Sequence, residues 1–470
     1  MVATVLAIDQ GTSGTKAIVM AGNEVVSSCE VPIRPDYRGG GAVEQDPMNL
    51  LASVLEAGRM AVRESRVQID VVSIANQGES VLAWDRESGS PLTPIVVWQD
   101  RRADALCQEL ADQAAFVAER TGLVLDPYFS APKQAWIRRN MTREGVVTTS
   151  DAWLLHQLTG EFVSDVTTAS RSLVFDIDTC AWDPDLLEVF GLQDEPLPRL
   201  VSCDSIVGET SAFGGSISVG GLVVDQQAAL LAEHCLEPGE VKCTFGTGAF
   251  LLANIGQHAC RSSAGLSTSV AWQVGNTVQY CLDGQVYAAA SAVHWLAGLG
   301  FIEDAAGLDD ACAQESGGVI AVPALAGLAA PWWRAEATAS FHGMSLSTRP
   351  GHLVRATIEG IAAQVAEICE VVEADLGAPL TYLRVDGGLT RSEVLMQAVA
   401  DLAQVPVEVY PTPNATALGA VALARLSVHP AMTLADAVVP WIAERACEPQ
   451  WSVDRAAAFR QDWLQAAERS

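Results

Sequence analysis

The chain has 470 residues, 49% of them hydrophobic, and a formal net charge of −29 at pH 7. This length predicts two domains, each large enough to bury its own core. The excess of acidic residues argues against a nucleic-acid-binding surface, and no apolar run resembles a membrane span or a signal peptide. We therefore expect a soluble, cytoplasmic protein with no nucleic-acid or membrane partner. The 11 cysteines show no Cys-x-x-Cys spacing, which indicates reduced thiols.

The first predicted elements are three strands over residues 4–31, and a glycine-rich turn connects the first two. Glycines let backbone amides approach an anion closely, and the hydroxyl groups of Thr12 and Ser13 add donors. Asp9 would bring a carboxylate to the mouth of this turn, which suits Mg²⁺. An ordinary β-hairpin is the better explanation of the turn when it is considered alone.

A helix is predicted to begin at Asp46-Pro47, because Asp is a favoured N-cap and Pro fits the first helical turn. The apolar spacing continues this helix to about Val62. Alternating apolar residues and turn signals then predict strands at 71–76, 81–84 and 95–98, followed by a helix over 100–113.

Asp225 is a lone carboxylate that follows the apolar pair Val223-Val224 and precedes a helix-like stretch. A carboxylate at the end of a strand can point into a cleft and accept the proton of an attacking hydroxyl group. A helix N-cap is the alternative role for this residue.

The second half repeats the plan of the first, because residues 241–252 read as strand, Gly-Thr turn and strand. Further along, a strand over 381–385 leads into Gly387-Gly388 and a helix from about Arg391. Strands that alternate with helices indicate an α/β class. Two similar turns, one near the start of each half, suggest a duplicated fold that grips a nucleotide between the halves.

Several motifs, in this order and spacing, resemble those of the FGGY carbohydrate kinases, and glycerol kinases are the most similar members of that family. The motifs are Ile8-Asp9-Gln10-Gly11-Thr12, Gln77-Gly78-Glu79, Trp98-Gln99-Asp100-Arg101-Arg102, Asp225-Gln226-Gln227, Phe245-Gly246-Thr247-Gly248 and Asp386-Gly387-Gly388. The resemblance implies two ribonuclease-H-like domains of the actin/Hsp70/sugar-kinase type with a cleft between them. It implies an acceptor-binding domain over 1–235 and a nucleotide-binding domain over 236–470.

The resemblance also assigns site residues. It implies Asp225 as the catalytic base and Asp9 as the residue associated with Mg²⁺. The implied acceptor-binding residues are Glu79, Trp98, Tyr128, Asp225, Gln226 and Phe250. The implied ATP-binding residues are Thr12, Ser13, Gly14, Lys16, Gly246, Thr247, Gly387 and Gly388.

The expected activity is ATP-dependent phosphorylation of a terminal hydroxyl of a small polyol or sugar, with glycerol as the first candidate. Gly78 stands where glycerol kinases carry an acceptor-binding Arg, so a larger C4–C5 polyol or a ketose is the alternative. Lys16 replaces another family Arg. Three nucleotide contacts also differ from the family pattern, at Ala290, His294 and Ser392.

Two hypotheses of other classes remain at this point. One is a nucleotide-driven protein related to actin or Hsp70, which the polyol-binding set of residues argues against. The other is a ligand sensor without turnover, which retention of Asp9 and Asp225 argues against. A homodimer is common in the family and is expected on that ground alone.

Overall fold

The computed structural model describes residues 3–470, which form two α/β halves that are each built on a central mixed sheet. The strands are β1 (Val5–Gln10), β2 (Gly14–Ala21), β3 (Glu24–Pro32), β4 (Asp36–Tyr37), β5 (Val43–Gln45), β6 (Val71–Asn76), β7 (Val81–Trp84), β8 (Ile95–Val96), β9 (Val146–Thr149), β10 (Val163–Asp165), β11 (Phe175–Asp176), β12 (Ala181–Trp182), β13 (Arg199–Val201), β14 (Ile206–Thr210), β15 (Ile217–Val224), β16 (Val241–Phe245), β17 (Ala249–Gly256), β18 (Ser267–Val274), β19 (Thr277–Val286), β20 (Ile320–Val322), β21 (Ser340–His342), β22 (Leu383–Asp386), β23 (Val407–Val409) and β24 (Arg445–Cys447).

The α-helices are α1 (Pro47–Ser65), α2 (Asp104–Glu109), α3 (Ala114–Thr121), α4 (Ser130–Asn140), α5 (Ser150–Thr159), α6 (Val166–Ala169), α7 (Pro184–Phe190), α8 (Asp225–Ala232), α9 (Ala290–Gly298), α10 (Leu308–Ala311), α11 (Pro350–Leu376), α12 (Glu393–Ala403), α13 (Ala415–Val428), α14 (Leu434–Ala437) and α15 (Val453–Ala467). Short 3-10 helices cover Gly39–Gly41, Ala111–Gln113, Ala305–Gly307 and Gly388–Arg391. No helix within residues 3–470 combines the length and the apolar character needed to cross a membrane.

Three parallel strands of the first sheet end at the same level. The sheet has the order β14-β15-β6-β1-β2-β3, and β6 runs parallel to both β1 and β15. In its register Gln10 lies opposite Asn76, and Asn76 lies opposite Val224. The residues just beyond these ends are the first glycine-rich turn, the segment with Glu79, and Asp225. Carboxyl ends of parallel strands form the ligand-binding edge of α/β sheets, so the fold brings these segments together.

The second sheet repeats this arrangement. Its order is β18-β19-β17-β16-β22-β23-β24, with β16 antiparallel to β17 and parallel to β22. Thr244 lies opposite Asp386, so the Gly246-Thr247 turn and the Gly387-Gly388 turn leave the sheet side by side. The predicted duplication of the hairpin is thus present, and in each half the first strand of the hairpin also has a parallel partner.

A shared core joins the two halves away from these edges. Leu252, Val270 and Trp272 of the second half pack into one hydrophobic cluster with Ile18 and Leu231 of the first. Helix α13 lies late in the chain, yet it packs against α8 and against strands of the first sheet. The halves are therefore joined by a continuous apolar core.

The early sequence predictions are confirmed for the first three strands and for the helix from Pro47. The Asp46 carboxylate caps that helix and accepts a hydrogen bond from the Met48 amide at 2.8 Å. The predicted strand at 95–98 is shorter, because regular pairing ends at Val96.

The predicted helix over 100–113 is wrong at its first four residues and is interrupted at Leu110. Only α2 and a 3-10 turn form there. The cause is Asp100, whose carboxylate accepts hydrogen bonds from the backbone amides of Val43 (2.7 Å) and Arg102 (2.9 Å). These bonds hold the residues before α2 in a loop, since a side chain that satisfies nearby amides competes with helix formation.

Candidate active site

A cleft of about 530 Å³ lies between the two halves. Nine of the predicted site residues line it, namely Thr12, Ser13, Glu79, Trp98, Tyr128, Asp225, Gln226, Thr247 and Phe250. Gly78, Gln77, Gln99, Arg101, Asp104 and Tyr287 also contribute to its wall. The structure thus brings together the whole predicted acceptor set from segments that are distant in the sequence.

Asp225 lies at the floor of this cleft as the first residue of α8. Val224 occupies the N-cap position, so the alternative of Asp225 as a helix N-cap is wrong. The Oδ1 atom of Asp225 accepts a hydrogen bond from the backbone amide of Gln226 at 2.6 Å. Burial, followed by the negative charges of Asp9 and Glu79, raises the pKa of Asp225 to about 7, and Lys242 opposes that rise. A carboxylate with such a pKa can act as a base near neutral pH.

An aromatic wall stands beside Asp225. The Trp98 ring lies 5.5 Å from the Tyr128 ring and 6.0 Å from the Phe250 ring, centroid to centroid, both edge to face. The indole N–H of Trp98 donates to the Thr12 hydroxyl at 2.9 Å. The wall can therefore cover the carbon side of a small polyol, and it is fixed to the first glycine-rich turn.

Glu79 adopts an unusual backbone conformation at the acceptor end of the cleft. Its φ is +60°, in the left-handed region that non-glycine residues rarely occupy and that often marks functional sites. The Arg171 Nε donates to its Oε1 at 2.6 Å. Sequence reasoning missed Arg171, because a single Arg within Ser170-Arg171-Ser172 carries no spacing signal.

Gln226 and the Tyr128 turn are also held by buried cations. The Lys242 ammonium donates to Gln226 Oε1 at 2.5 Å and to the Thr244 hydroxyl at 2.8 Å. The Lys133 ammonium donates to the carbonyl oxygens of residues 127, 128 and 129 at 2.8, 2.5 and 2.6 Å. These bonds fix the turn from which the Tyr128 side chain enters the cleft.

Asp9 lies near the end of β1, where its neighbours are mostly acidic. Burial raises the pKa of Asp9 to about 6, with further increases from Glu30 and Asp386 and an opposing effect from Lys16. Asp386 is half-buried, and its buried Oδ1 has no hydrogen-bond partner. A divalent cation at Asp9 would offset this repulsion, so the residues present fit Mg²⁺.

The chain would supply only part of the coordination of such an ion. Within residues 3–470, no group of three or more His, Cys, Asp or Glu side chains is arranged to hold a metal. Mg²⁺ suits this situation, because it usually takes one or two carboxylates and fills its coordination with water and phosphate oxygens.

The predicted phosphate-binding turns face the same region from both halves. The Lys16 ammonium donates to the Pro413 carbonyl at 3.0 Å, so it contacts the segment that leads into α13. The second turn is bound to the start of α9. The Gly246 carbonyl accepts a hydrogen bond from the Ala290 amide at 3.1 Å, and the Thr247 carbonyl accepts one from the Ala289 amide at 3.0 Å. The nucleotide-binding roles of these turns remain predictions.

The backbone at position 387 requires glycine. Its φ is +97°, and an added Cβ would lie 2.4 Å from the Phe245 carbonyl oxygen. At Gly388 an added Cβ would meet no atom within 4 Å, so space is open above the turn. Ser392, which replaces the family Asn, caps α12 through the Leu395 amide at 3.1 Å and donates to Asp309. The hydroxyl of Ser392 is therefore engaged within the protein.

Gly419 fixes the position of the helix that carries Asp225. A Cβ added to Gly419 in α13 would lie 1.9 Å from the Ala228 carbonyl oxygen in α8. We predict that Gly419→Ala separates these helices, lowers the free energy of unfolding by about 1–3 kcal/mol and lowers kcat. Thermal unfolding and ADP release measure both effects. Gly298→Ala is the matched control, since an added Cβ there meets nothing within 4 Å. An unchanged Tm for Gly419→Ala would contradict this packing.

Comparison with known proteins gives full-length matches. Residues 4–232 match the N-terminal domain, and residues 241–428 the C-terminal domain, of the FGGY family of carbohydrate kinases. Glycerol kinase of Dechloromonas aromatica (strain RCB) is 39% identical, over 99% of this chain and 97% of the relative. Glycerol kinase of Bordetella parapertussis is 40% identical, with the same coverage of 99% and 97%.

Solved structures of kinases share the fold. The crystal structure of Plasmodium falciparum glycerol kinase with ADP superposes with a TM-score of 0.91 at 31% identity, over 100% of this chain and 98% of that one. Ligand-bound xylulose kinase from Lactobacillus acidophilus gives a TM-score of 0.89 at 20% identity, over 99% and 98%.

Proposed function

Because this chain belongs to the FGGY family of carbohydrate kinases, we propose that its cleft transfers the γ-phosphoryl group of ATP to a terminal hydroxyl of glycerol. The full-length likeness to glycerol kinases confirms the predicted family, the two-domain α/β fold and the glycerol-kinase-like class of activity. The acceptor and the roles of individual residues are the proposal. One observation carries it: the Asp225 carboxylate lies on the cleft floor beside Glu79, Gln226 and an aromatic wall.

The acceptor is expected to lie with its carbon atoms against Trp98 and Phe250. Glu79, Tyr128 and Gln226 supply hydrogen-bond partners for its hydroxyl groups. Asp225 accepts the proton of the attacking hydroxyl, which makes its oxygen a better nucleophile toward the γ-phosphorus. The positioning of these groups in one cleft is expected to contribute most of the rate, as phosphoryl transfer generally requires.

The two glycine-rich turns are proposed to bind the phosphate groups of ATP. Thr12, Ser13 and Gly14 of the first turn and Gly246 and Thr247 of the second would donate to phosphate oxygens, with Lys16 as a nearby cation. The Gly387-Gly388 turn would pass below the nucleoside. Asp9 would hold Mg²⁺, whose charge neutralises the phosphoryl oxygens when it is bound.

The division of labour follows the two halves. We assign acceptor binding to residues 1–235 and nucleotide binding to residues 236–470.

The 11 cysteines are all unpaired, 7 of them buried, which fits a reducing cytoplasm as the site of the reaction. A homodimer remains a prediction from the family.

The acceptor panel is the direct test of this proposal. Glycerol, erythritol, the C5 polyols and the C3–C6 ketoses are each incubated with MgATP, and ADP release is followed by a coupled assay. Glycerol as the best acceptor supports the first assignment. ATP hydrolysis at the same rate with and without every acceptor would contradict phosphoryl transfer to a polyol.

A larger acceptor is the second candidate, and Gly78 favours it. A Cβ added at Gly78 would meet only the methyl groups of Val224, the nearer at 3.4 Å, so the position leaves space in the wall. A four- or five-carbon winner in the panel would support this alternative.

Restoring the family residue gives a further prediction. We expect Gly78→Arg to lower the KM for glycerol by about 10- to 100-fold, because a hydrogen bond to a charged group is worth about 1.5–3 kcal/mol. The same substitution should slow any acceptor longer than three carbons. Gly78→Ala is the control, with a side chain but no donor. Equal glycerol KM values for the two variants would show that a guanidinium at this position does not reach the acceptor.

A further inference from the structure

Lysine is rare in this chain, and two of the three lysines, Lys133 and Lys242, are buried next to side chains of the acceptor site. Three of the 28 basic residues are lysines, and the rest are arginines. Lys133 binds the turn that carries Tyr128, and Lys242 binds Gln226, whereas the half-buried Lys16 binds the carbonyl of Pro413 just before α13. A compact ammonium with three donors suits such closed positions better than the planar guanidinium of Arg. The buried cations around the acceptor site are therefore specific parts of it.

Arg171 links an acceptor-binding side chain to the opposite half. Its side chain is 4% exposed and its Nε donates to Glu79, which also belongs to the first half. Its Nη1 donates to Asp283 and, at 3.3 Å, to the Ser269 hydroxyl, both in the second half. Asp283 is itself fixed by the Gln285 amide at 2.7 Å. Glu79 is therefore oriented through Arg171 by strands β18 and β19.

Lys242 forms the reciprocal link. It lies in β16 of the second half, is fully buried, and donates to the side-chain oxygen of Gln226 in the first half. With its oxygen engaged, the Gln226 amide presents its N–H groups to the cleft as donors. Two side chains that face the acceptor are thus each held by a cation bound to groups of the other half.

We propose that Arg171 and Lys242 are positioning residues through which the second half sets the geometry of Glu79 and Gln226, and with it the affinity for the polyol. The inference rests on the acceptor roles assigned to those two side chains under the proposed function. Charge-assisted hydrogen bonds in a buried setting are strong and directional. Without these hydrogen bonds the side chains of Glu79 and Gln226 regain rotamer freedom. Acceptor binding must then order them, and this loss of entropy weakens the affinity for the polyol.

The first test compares the KM for glycerol with the KM for ATP. We expect Asp283→Asn, Arg171→Lys and Lys242→Met each to raise the KM for glycerol by about 10- to 100-fold, since small displacements of positioned groups have effects of this size. The KM for ATP should change less than about twofold, because neither pair touches the predicted nucleotide turns.

Arg138→Lys is the matched control for loss of a buried arginine fork. Arg138 pairs with Glu195 within the first half, at 12% and 13% side-chain exposure, and lines no part of the cleft. We expect it to lower Tm as Arg171→Lys does, with the glycerol KM unchanged. If Arg171→Lys fails to fold, the glycerol KM of Asp283→Asn tests the inference instead, because that variant keeps the pair between Arg171 and Glu79.

A double-mutant cycle of Glu79→Gln with Asp283→Asn separates positioning from general destabilisation. Both changes act through Arg171, so their effects on glycerol affinity should be non-additive, by about threefold or more. Additive effects, or an unchanged glycerol KM in folded Asp283→Asn, would overturn the inference.

Calorimetric titration with glycerol distinguishes this failure from failure of the proposed function. If the wild-type protein binds glycerol but releases no ADP, phosphoryl transfer to glycerol is excluded. The effect of each variant on the Kd for glycerol would still test whether Arg171 and Lys242 position Glu79 and Gln226. Absence of both binding and turnover with every polyol of the panel would overturn both.

Discussion

Asp225→Asn is expected to lower kcat by about 100- to 10,000-fold, the range that general-base catalysis contributes. Asparagine keeps the shape of the side chain and its hydrogen bond from the Gln226 amide, but it cannot accept a proton. ADP release in the presence of glycerol measures the loss, and calorimetric binding of ADP should be retained. Asp104→Asn is the control, since Asp104 lines the same cleft but is paired with Arg101 at 2.7 Å. Turnover by Asp225→Asn within tenfold of wild type would exclude the assigned role.

The pH dependence of the wild-type enzyme tests the same residue. Burial, followed by the charges of Asp9 and Glu79, raises the pKa of Asp225 to about 7, and Lys242 counteracts this. The base must be deprotonated to accept a proton, so kcat/KM for glycerol should fall as the pH drops below about 7. A profile that stays flat down to pH 5 would contradict this assignment.

Asp9→Asn is expected to lower kcat by about 100-fold or more, because preorganised charge at a phosphoryl-transfer site has effects of this size. The Mg²⁺ concentration needed for half-maximal activity should rise. The KM for glycerol should stay near the wild-type value, because Asp9 does not line the acceptor end of the cleft. Steady-state rates over a Mg²⁺ series and over a glycerol series measure these three quantities.

A second readout follows from the link between the two carboxylates. The charge of Asp9 raises the pKa of Asp225, so its removal should move the acidic limb of the pH profile to lower pH. Glu30→Gln is the control, since this exposed carboxylate raises the pKa of Asp9 and is absent from the groups that shift Asp225. Loss of activity with an unchanged Mg²⁺ requirement would argue against a metal at Asp9.

The sequence predicted the strands that matter for the site because their apolar runs end in distinctive turns. The first turn, Asp225 and the Gly246-Thr247 turn each follow a buried strand, and the register of the parallel strands then aligns those ends. That alignment is a property of the sheet. Local patterns alone left an ordinary hairpin at Asp9 and a helix N-cap at Asp225 as alternatives, and it was the resemblance to the FGGY family that assigned Asp9, Glu79 and Asp225 to one site.

The buried cations were beyond reach of the sequence for a physical reason. Arg171 and Asp283 are 112 residues apart, and Lys242 reaches Gln226 across the boundary between the halves. Nothing in local spacing distinguishes a buried positioning cation from a surface one, because only tertiary packing creates its environment. The same limit explains why the helix predicted from residue 100 begins only at Asp104, since Asp100 accepts a hydrogen bond from a backbone amide 57 residues away.

The most direct test of the central claim is the stoichiometry of products with wild-type enzyme, MgATP and glycerol, read by ADP release and by ³¹P NMR of the acceptor. A base at Asp225 within an acceptor cleft predicts one phosphorylated terminal hydroxyl for each ADP and little ATP turnover without a polyol. Inorganic phosphate in place of a phosphorylated polyol, whichever acceptor is supplied, would contradict it.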